Sequence, residues 1–191
     1  TQKNEVTFMY GGSLRKGMRV YETLDCVKEL KIEGYPIKLI IGGFGPLKEQ
    51  IIDFVSSDKV LKEIVSFHDA KSWNEIPEIY KKSDVVINLA EWSPYGGVIY
   101  EGVKSGTGII STKYYNSTRH FIYPNFNGYI VYSAEDAKNA MKKYFSKGIL
   151  ESHSKRNKEL AKSYSFHDHL NRFDEIIDIF YNQRKSDSDF W

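Results

Sequence analysis

Hydrophobic and polar positions change rhythm repeatedly along this chain. Short runs that are apolar at every position alternate with longer stretches in which apolar residues recur every three or four places. The run over 5–10 reads as a strand, and the stretch over 19–34 sets Val20, Leu24, Val27 and Leu30 at helical spacing. "IKLIIGG" (37–43) predicts a second strand, and 46–57 a helix with Pro46 suited to its first turn. "EIVSF" (63–67) predicts a third strand, followed by a short helix over 73–83 with Pro77 near its start. "DVVINLA" (84–90) is the fourth strand and 97–106 the helix after it. Strands five and six are expected over 108–112 and 128–133. Helices over 134–147, 150–164 and 167–183 complete the pattern.

Strands apolar on both faces and joined by helices mean a parallel sheet covered on two sides. Right-handed crossovers make such a sheet doubly wound. The expected fold class is therefore α/β, a Rossmann-like parallel sheet of about six strands flanked by helices. A single domain is expected over 1–191, with its core over 5–183 and a flexible tail over 184–191. Ligands of these sheets bind at the carboxyl ends of the strands, near the point where strand order reverses.

Composition narrows the picture only a little. The chain has 191 residues and a net charge of +2, which leaves no electrostatic footprint for nucleic acid. Cys26 is its only cysteine, so neither an intramolecular disulfide nor a cysteine-based metal site is available. No apolar run approaches the length of a membrane span, and the opening "TQKNEV" has no apolar signal region. With 14 tyrosines scattered along the chain, half-buried packing is expected of most of them.

The loops after the strands carry the candidate chemistry. "GGSLRKG" (11–17) offers backbone N–H groups and the charges of Arg15 and Lys16 to an anion, or else is a tight turn with solvated basic residues. It lacks the three-glycine dinucleotide spacing and the P-loop pattern. In "GGFGP" (42–46) Gly43 and Gly45 serve a sharp turn or border the cleft. His68 in "FHDAKSW" is a surface or core histidine or meets a ligand; backbone groups near Asp69–Lys71 could equally face a base. "SPYGGVIYEGVKSG" (93–106) hands the fourth strand to a helix. A diphosphate at that helix N-terminus needs close backbone approach, hence Gly96 and Gly97. The carboxylate of Glu101, one turn into the helix, suits the vicinal hydroxyls of a ribose.

Six segments stand in a telling order: "YGGSLRKG", "IKLIIGGFGP", "IVSFHDA" with "EIYKKSDVVINLA", "SPYGGVIYEGVKSGTGIIST", "NFNGYIV" and "YSFHDHLNRF". In this order the chain resembles the donor-binding C-terminal domain of GT-B glycosyltransferases, in the large, mostly retaining group 1 family, and it is family 4-like. The resemblance implies that Lys16 holds the donor diphosphate, assisted by Arg15. It places the second glutamate of the family's Glu-x7-Glu motif on Glu101, which would bind the nucleotide ribose. The amides of Gly96, Gly97 and Val98 would face phosphate or sugar. Lys16, Arg15 and Glu101 are thus the expected catalytic set. The expected donor contacts are Gly12, Ser13, Lys16, His68, Ser93, Tyr95, Gly96, Gly97, Val98 and Glu101. The chain departs from the family at Ser93, where the first motif glutamate should stand; Glu91 lies two residues earlier and could replace it only after a loop rearrangement.

The implied reaction is sugar transfer from a nucleotide-diphosphate sugar, UDP- or GDP-linked, to a glycan or lipid-linked acceptor, as in polysaccharide biosynthesis. Retention of anomeric configuration is the family expectation. No cofactor and no metal are expected, because Lys16 and the helix N-terminus would stabilise the leaving diphosphate. The acceptor side would come from an N-terminal domain, in cis or as a separate chain. The expected location is the cytoplasm, with peripheral membrane contact made through that other half. Two alternatives stand beside this reading: a non-catalytic nucleotide-sugar-binding or scaffold subunit, and a GT-B-fold sugar-nucleotide epimerase.

Overall fold

The computed structural model of the chain describes residues 5–68, 75–93 and 95–164. In chain order its elements are β1 (Val6–Ser13), α1 (Val20–Ile32), β2 (Ile37–Phe44), α2 (Lys48–Ser57), α3 (Lys59–Ile64), β3 (Val65–Phe67), α4 (Ile76–Lys81) and β4 (Val85–Asn88). Then follow α5 (Gly97–Ser105), β5 (Gly108–Thr112), α6 (Asn116–Phe121), β6 (Tyr129–Val131), α7 (Ala134–Lys143) and α8 (Ile149–Lys162). The expected helix over 167–183, the tail over 184–191 and the segment Asp69–Lys71 lie outside the described residues.

The strands form one sheet in the order β3-β2-β1-β4-β5-β6. Every neighbouring pair is parallel. The chain builds outward from β1 to β3, then crosses back to lay β4 on the other side of β1. That reversal between β1 and β4 is the switch point of a doubly wound fold. All residues of β4 and β5 are buried, which is why both read as unbroken apolar runs. Phe8, Leu39, Val86, Ile87, Ile109 and Ile110 fill the centre with essentially no exposure.

Asp84 ties three strands together at the amino edge of the sheet. Its carboxylate accepts the Thr7 N–H at 2.8 Å, its own N–H reaches the Thr7 carbonyl at 2.8 Å, and its carbonyl takes the Gly108 N–H at 2.8 Å. On the far side, Asn157 of α8 donates to the Thr107 carbonyl at 2.7 Å and accepts from the Asn127 side chain at 2.8 Å. Among the described residues no buried side-chain nitrogen or oxygen lacks a partner.

Three expectations are corrected in detail. The strand expected over 63–67 begins only at Val65, because Lys59–Ile64 is helical. Asp58 is the reason: its side chain accepts the N–H groups of Val60 and Leu61 at 2.9 and 3.0 Å and so starts α3. Pro46 precedes α2 and occupies a turn closed by the Lys48 N–H on the Gly45 carbonyl at 3.1 Å. Finally, α6 stands where no helix was expected.

Candidate functional site

The carboxyl ends of β1 and β4 meet at the switch point, and the loops that leave them are bonded to each other. Asn88, the last residue of β4, is fully buried. Its amide donates to the Gly11 carbonyl at 2.8 Å, and its oxygen accepts the Tyr115 hydroxyl and, at 3.3 Å, the Ala90 N–H. Further out, the Glu91 N–H reaches the Gly17 carbonyl at 2.9 Å. One polar residue in an apolar strand thus joins β1, β4 and the loop after β5.

From β1 the chain makes a tight turn over Leu14–Met18, with the Met18 N–H on the Arg15 carbonyl at 3.2 Å. The buried Tyr10 hydroxyl supports this turn from beneath, 3.1 Å from the Ser13 carbonyl and 3.3 Å from that of Met18. Arg15 and Lys16 are exposed on it. Burial raises the pKa of Tyr115, and the positive charge of Arg15 acts on the same hydroxyl in the opposite sense.

Tyr115 leads to the start of α5. Gly96 caps that helix at φ +76°, and a Cβ there would stand 1.9 Å from the Tyr115 ring, so no other residue fits. The Gly96 carbonyl accepts the Ser117 hydroxyl at 2.8 Å and the Ile99 N–H at 3.0 Å. Among the described residues no side chain caps α5. The first turn of α5, at Gly97 and Val98, carries the positive end of the helix dipole, a setting that favours an anion. Val98 also packs on β1: a Cβ at Gly11 would lie 2.7 Å from its side chain.

Glu101 lies one turn into α5 and is half-buried. Its Oε1 is 3.6 Å from where a Gly97 Cβ would be, so the carboxylate leans back over the helix N-terminus. Its Oε2 accepts the Tyr80 hydroxyl at 2.6 Å. Tyr80 is buried in α4. Burial, and then the Glu101 charge, push its pKa well up, so it stays a neutral donor.

The remaining expected positions fall around this centre. Gly12 and Ser13 end β1 at the same edge. Ser93 pairs with Tyr115 through an isolated bridge, and its neighbour Pro94 lies outside the described residues. Tyr95 is 54% exposed, and its carbonyl accepts the Ser117 N–H at 3.0 Å. The Glu91 carboxylate stands over the β1 turn, 3.6 Å from where a Gly17 Cβ would be. His68 is the outlier. It follows β3, two strands from β1, or about 10 Å along the sheet. Its N–H is on the Ile41 carbonyl at 2.9 Å and its ring is 3.5 Å from the Lys82 amine. Gly43 and Gly45 are packing glycines: a Cβ would meet the Gly12 carbonyl at 2.2 Å or that of Leu14 at 2.5 Å.

Sequence reasoning overlooked Asn88, Tyr115, Ser117 and Tyr80. Asn88 had a signal, being the polar break in "DVVINLA". The other three had none, because their partners are distant in sequence. Among the described residues no cluster of three His, Cys, Asp or Glu could hold a metal ion. Nor is any helix there long and apolar enough to cross a membrane.

Fold and site together define a doubly wound α/β domain whose switch point is bordered by the basic turn after β1 and by the start of α5. The chain belongs to the glycosyl transferases group 1 family, whose model matches residues 1–163, and it is a glycosyltransferase domain. The solved structures it resembles share the fold at low identity. The pneumococcal O-GlcNAc transferase GtfA, in complex with UDP and GlcNAc, matches with a TM-score of 0.80 at 14% identity, over 92% of this chain and 36% of that one. The C-terminal domain of the group 1 family protein LpcC from Francisella tularensis matches with a TM-score of 0.73 at 18% identity, over 83% of this chain and 85% of that one. Anabaena Alr3699/HepE in complex with UDP matches with a TM-score of 0.74 at 16% identity, over 94% and 49% respectively. No curated protein sequence matches the chain. This chain thus spans 36% of GtfA and 49% of HepE.

Proposed function

We propose that the crevice between β1 and β4 holds the nucleoside diphosphate of a sugar donor, and that the chain is the donor-binding part of a retaining glycosyltransferase. One observation carries this: the Arg15–Lys16 turn, the uncapped start of α5 and the Glu101 carboxylate converge at one switch point. Cations and helix N–H groups suit the diphosphate, and a carboxylate beside them suits ribose hydroxyls. UDP is the favoured nucleotide, since GtfA and HepE are both found with it. As the sugar leaves, negative charge grows on the diphosphate. Lys16, Arg15 and the positive end of α5 at Gly97 and Val98 would stabilise it. The acceptor, a glycan or lipid-linked sugar, would be presented by a further domain.

A second reading has one observation in its favour. Ser93 stands where the family's first motif glutamate would be, which fits a subunit that binds the nucleotide sugar without turning it over.

The test is calorimetry with UDP on the wild type and on Glu101→Ala. Loss of a charged hydrogen bond is worth about 1.5–3 kcal/mol, so affinity should fall roughly ten- to 150-fold. Unchanged UDP binding by a folded Glu101→Ala protein would remove the ribose assignment. UDP-, GDP-, ADP- and dTDP-sugars compared by thermal shift would then name the donor, with UDP-sugars expected to stabilise most.

A further inference from the structure

A glutamate on the exposed side of a helix has three rotatable bonds and an ordinary preference for water. Glu101 does not extend outward; its carboxylate folds back over Gly97, half-buried. Some group must hold it there, and the structure offers one. The Tyr80 hydroxyl donates to Oε2 at 2.6 Å, a length typical of a charge-assisted O–H to carboxylate bond. The next acceptor in its reach, the Val98 carbonyl, is at 3.4 Å and competes poorly. The Tyr80 ring is 3% exposed, so the hydroxyl is fixed by core packing rather than by the loop it serves.

We infer that Tyr80 is a positioning residue for the donor nucleotide: its hydroxyl clamps one carboxylate oxygen of Glu101 and so aims the other across Gly97 at the ribose. This rests on the proposed function. Clamping leaves Oε1 open and pre-orients it, so a ribose meets an acceptor that loses little side-chain freedom on binding. Tyr80 touches no ligand in this scheme; it acts only through Glu101. A merely structural Tyr80 would affect stability and leave ribose recognition unchanged.

The discriminating measurement is a ratio. Kd is measured for UDP and for 2′,3′-dideoxyuridine diphosphate, which lacks both ribose hydroxyls. Wild-type protein should prefer UDP. Tyr80→Phe keeps the ring in the core and removes only the hydroxyl, whose half-buried partner water can reach. The preference should shrink roughly three- to tenfold through weaker UDP binding, with the dideoxy compound unaffected. Glu101→Ala should abolish the preference, and adding Tyr80→Phe to it should change nothing more. If Glu101→Ala abolishes the preference while Tyr80→Phe leaves it at the wild-type value, the role of Tyr80 alone is overturned. Independent losses in the double variant overturn it too. If Glu101→Ala leaves the preference intact, or wild-type protein does not bind UDP, the ribose reading falls and Tyr80's role with it.

Discussion

Asn88 and Lys16 show two opposite ways in which one residue serves the crevice. Asn88 is buried and bonded on every side, joining Gly11 to Tyr115. Lys16 is exposed on its turn, and in the proposed function it would offer its charge alone. Because it is solvated, its attraction for a diphosphate should resemble that of a surface ion pair, about 1 kcal/mol or roughly fivefold in Kd. Lys16→Ala should therefore weaken UDP by that factor and leave uridine nearly untouched. Raised salt should narrow the difference. Equal losses for UDP and uridine would show that Lys16 does not meet the diphosphate. Lys16, Gly96 and Glu101 were legible in the sequence because each has a local reason to be where it is. A cation in a glycine turn and a glutamate one turn into a helix can be read without knowing the fold. Tyr80 could not be found in this way. It lies 21 positions before Glu101, and only the packing of α4 against α5 brings them together.

Among the elements, α3 is the one most dependent on a single side chain. Asp58 accepts two of its first N–H groups and also bonds Lys28 of α1. The Lys28 bond first, then the backbone N–H groups, hold the Asp58 pKa below its usual value. A carboxylate depressed in the folded state adds stability above its unfolded pKa, near 4, and loses it as the pH falls through the lower folded value. Asp58→Ala should thus be less stable than wild type in urea at neutral pH, and the gap should narrow in acid. A gap that ignores pH would remove the ionised cap as its cause. The same element shows what propensity hides. "EIVSF" is rich in β-branched and aromatic residues, so Glu63 and Ile64 read as strand although they end the helix that Asp58 caps. Helix α6 is concealed differently. "NSTRHF" has no apolar period, and its buried face consists of Ser117, Thr118 and Phe121. The Thr118 hydroxyl bonds Ser111 at 2.8 Å and the Ser117 hydroxyl bonds the Gly96 carbonyl, contacts that exist only after folding. By contrast β1, β2, β4 and β5 were legible, because strands buried on both faces need apolar residues at nearly every position.

At the scale of the molecule, the switch point between β1 and β4 lies at the carboxyl edge of the sheet. The chain covers only 36% of GtfA, and 85% of the LpcC C-terminal domain, which is matched as a unit. We therefore expect the 191-residue chain to bind UDP but to transfer no sugar, because in the proposed function a further domain positions the acceptor, and positioning is a large share of catalysis. Radiolabelled donor with candidate glycan acceptors tests this, and turnover by the chain alone would refute it. The crevice also lies on the shortest ladder of the sheet. β1 is registered with β2 from Val6 to Ser13, yet with β4 only at Phe8 and Met9. Side chains of Asp84 and Asn88 supplement that seam at either end. The two halves of the sheet are thus like the leaves of a book with a short spine. A nucleotide gripping the β1 turn on one leaf and α5 on the other would lie across that spine as a brace. Much of what binding does to this domain would then be felt as stiffness rather than as a change of shape.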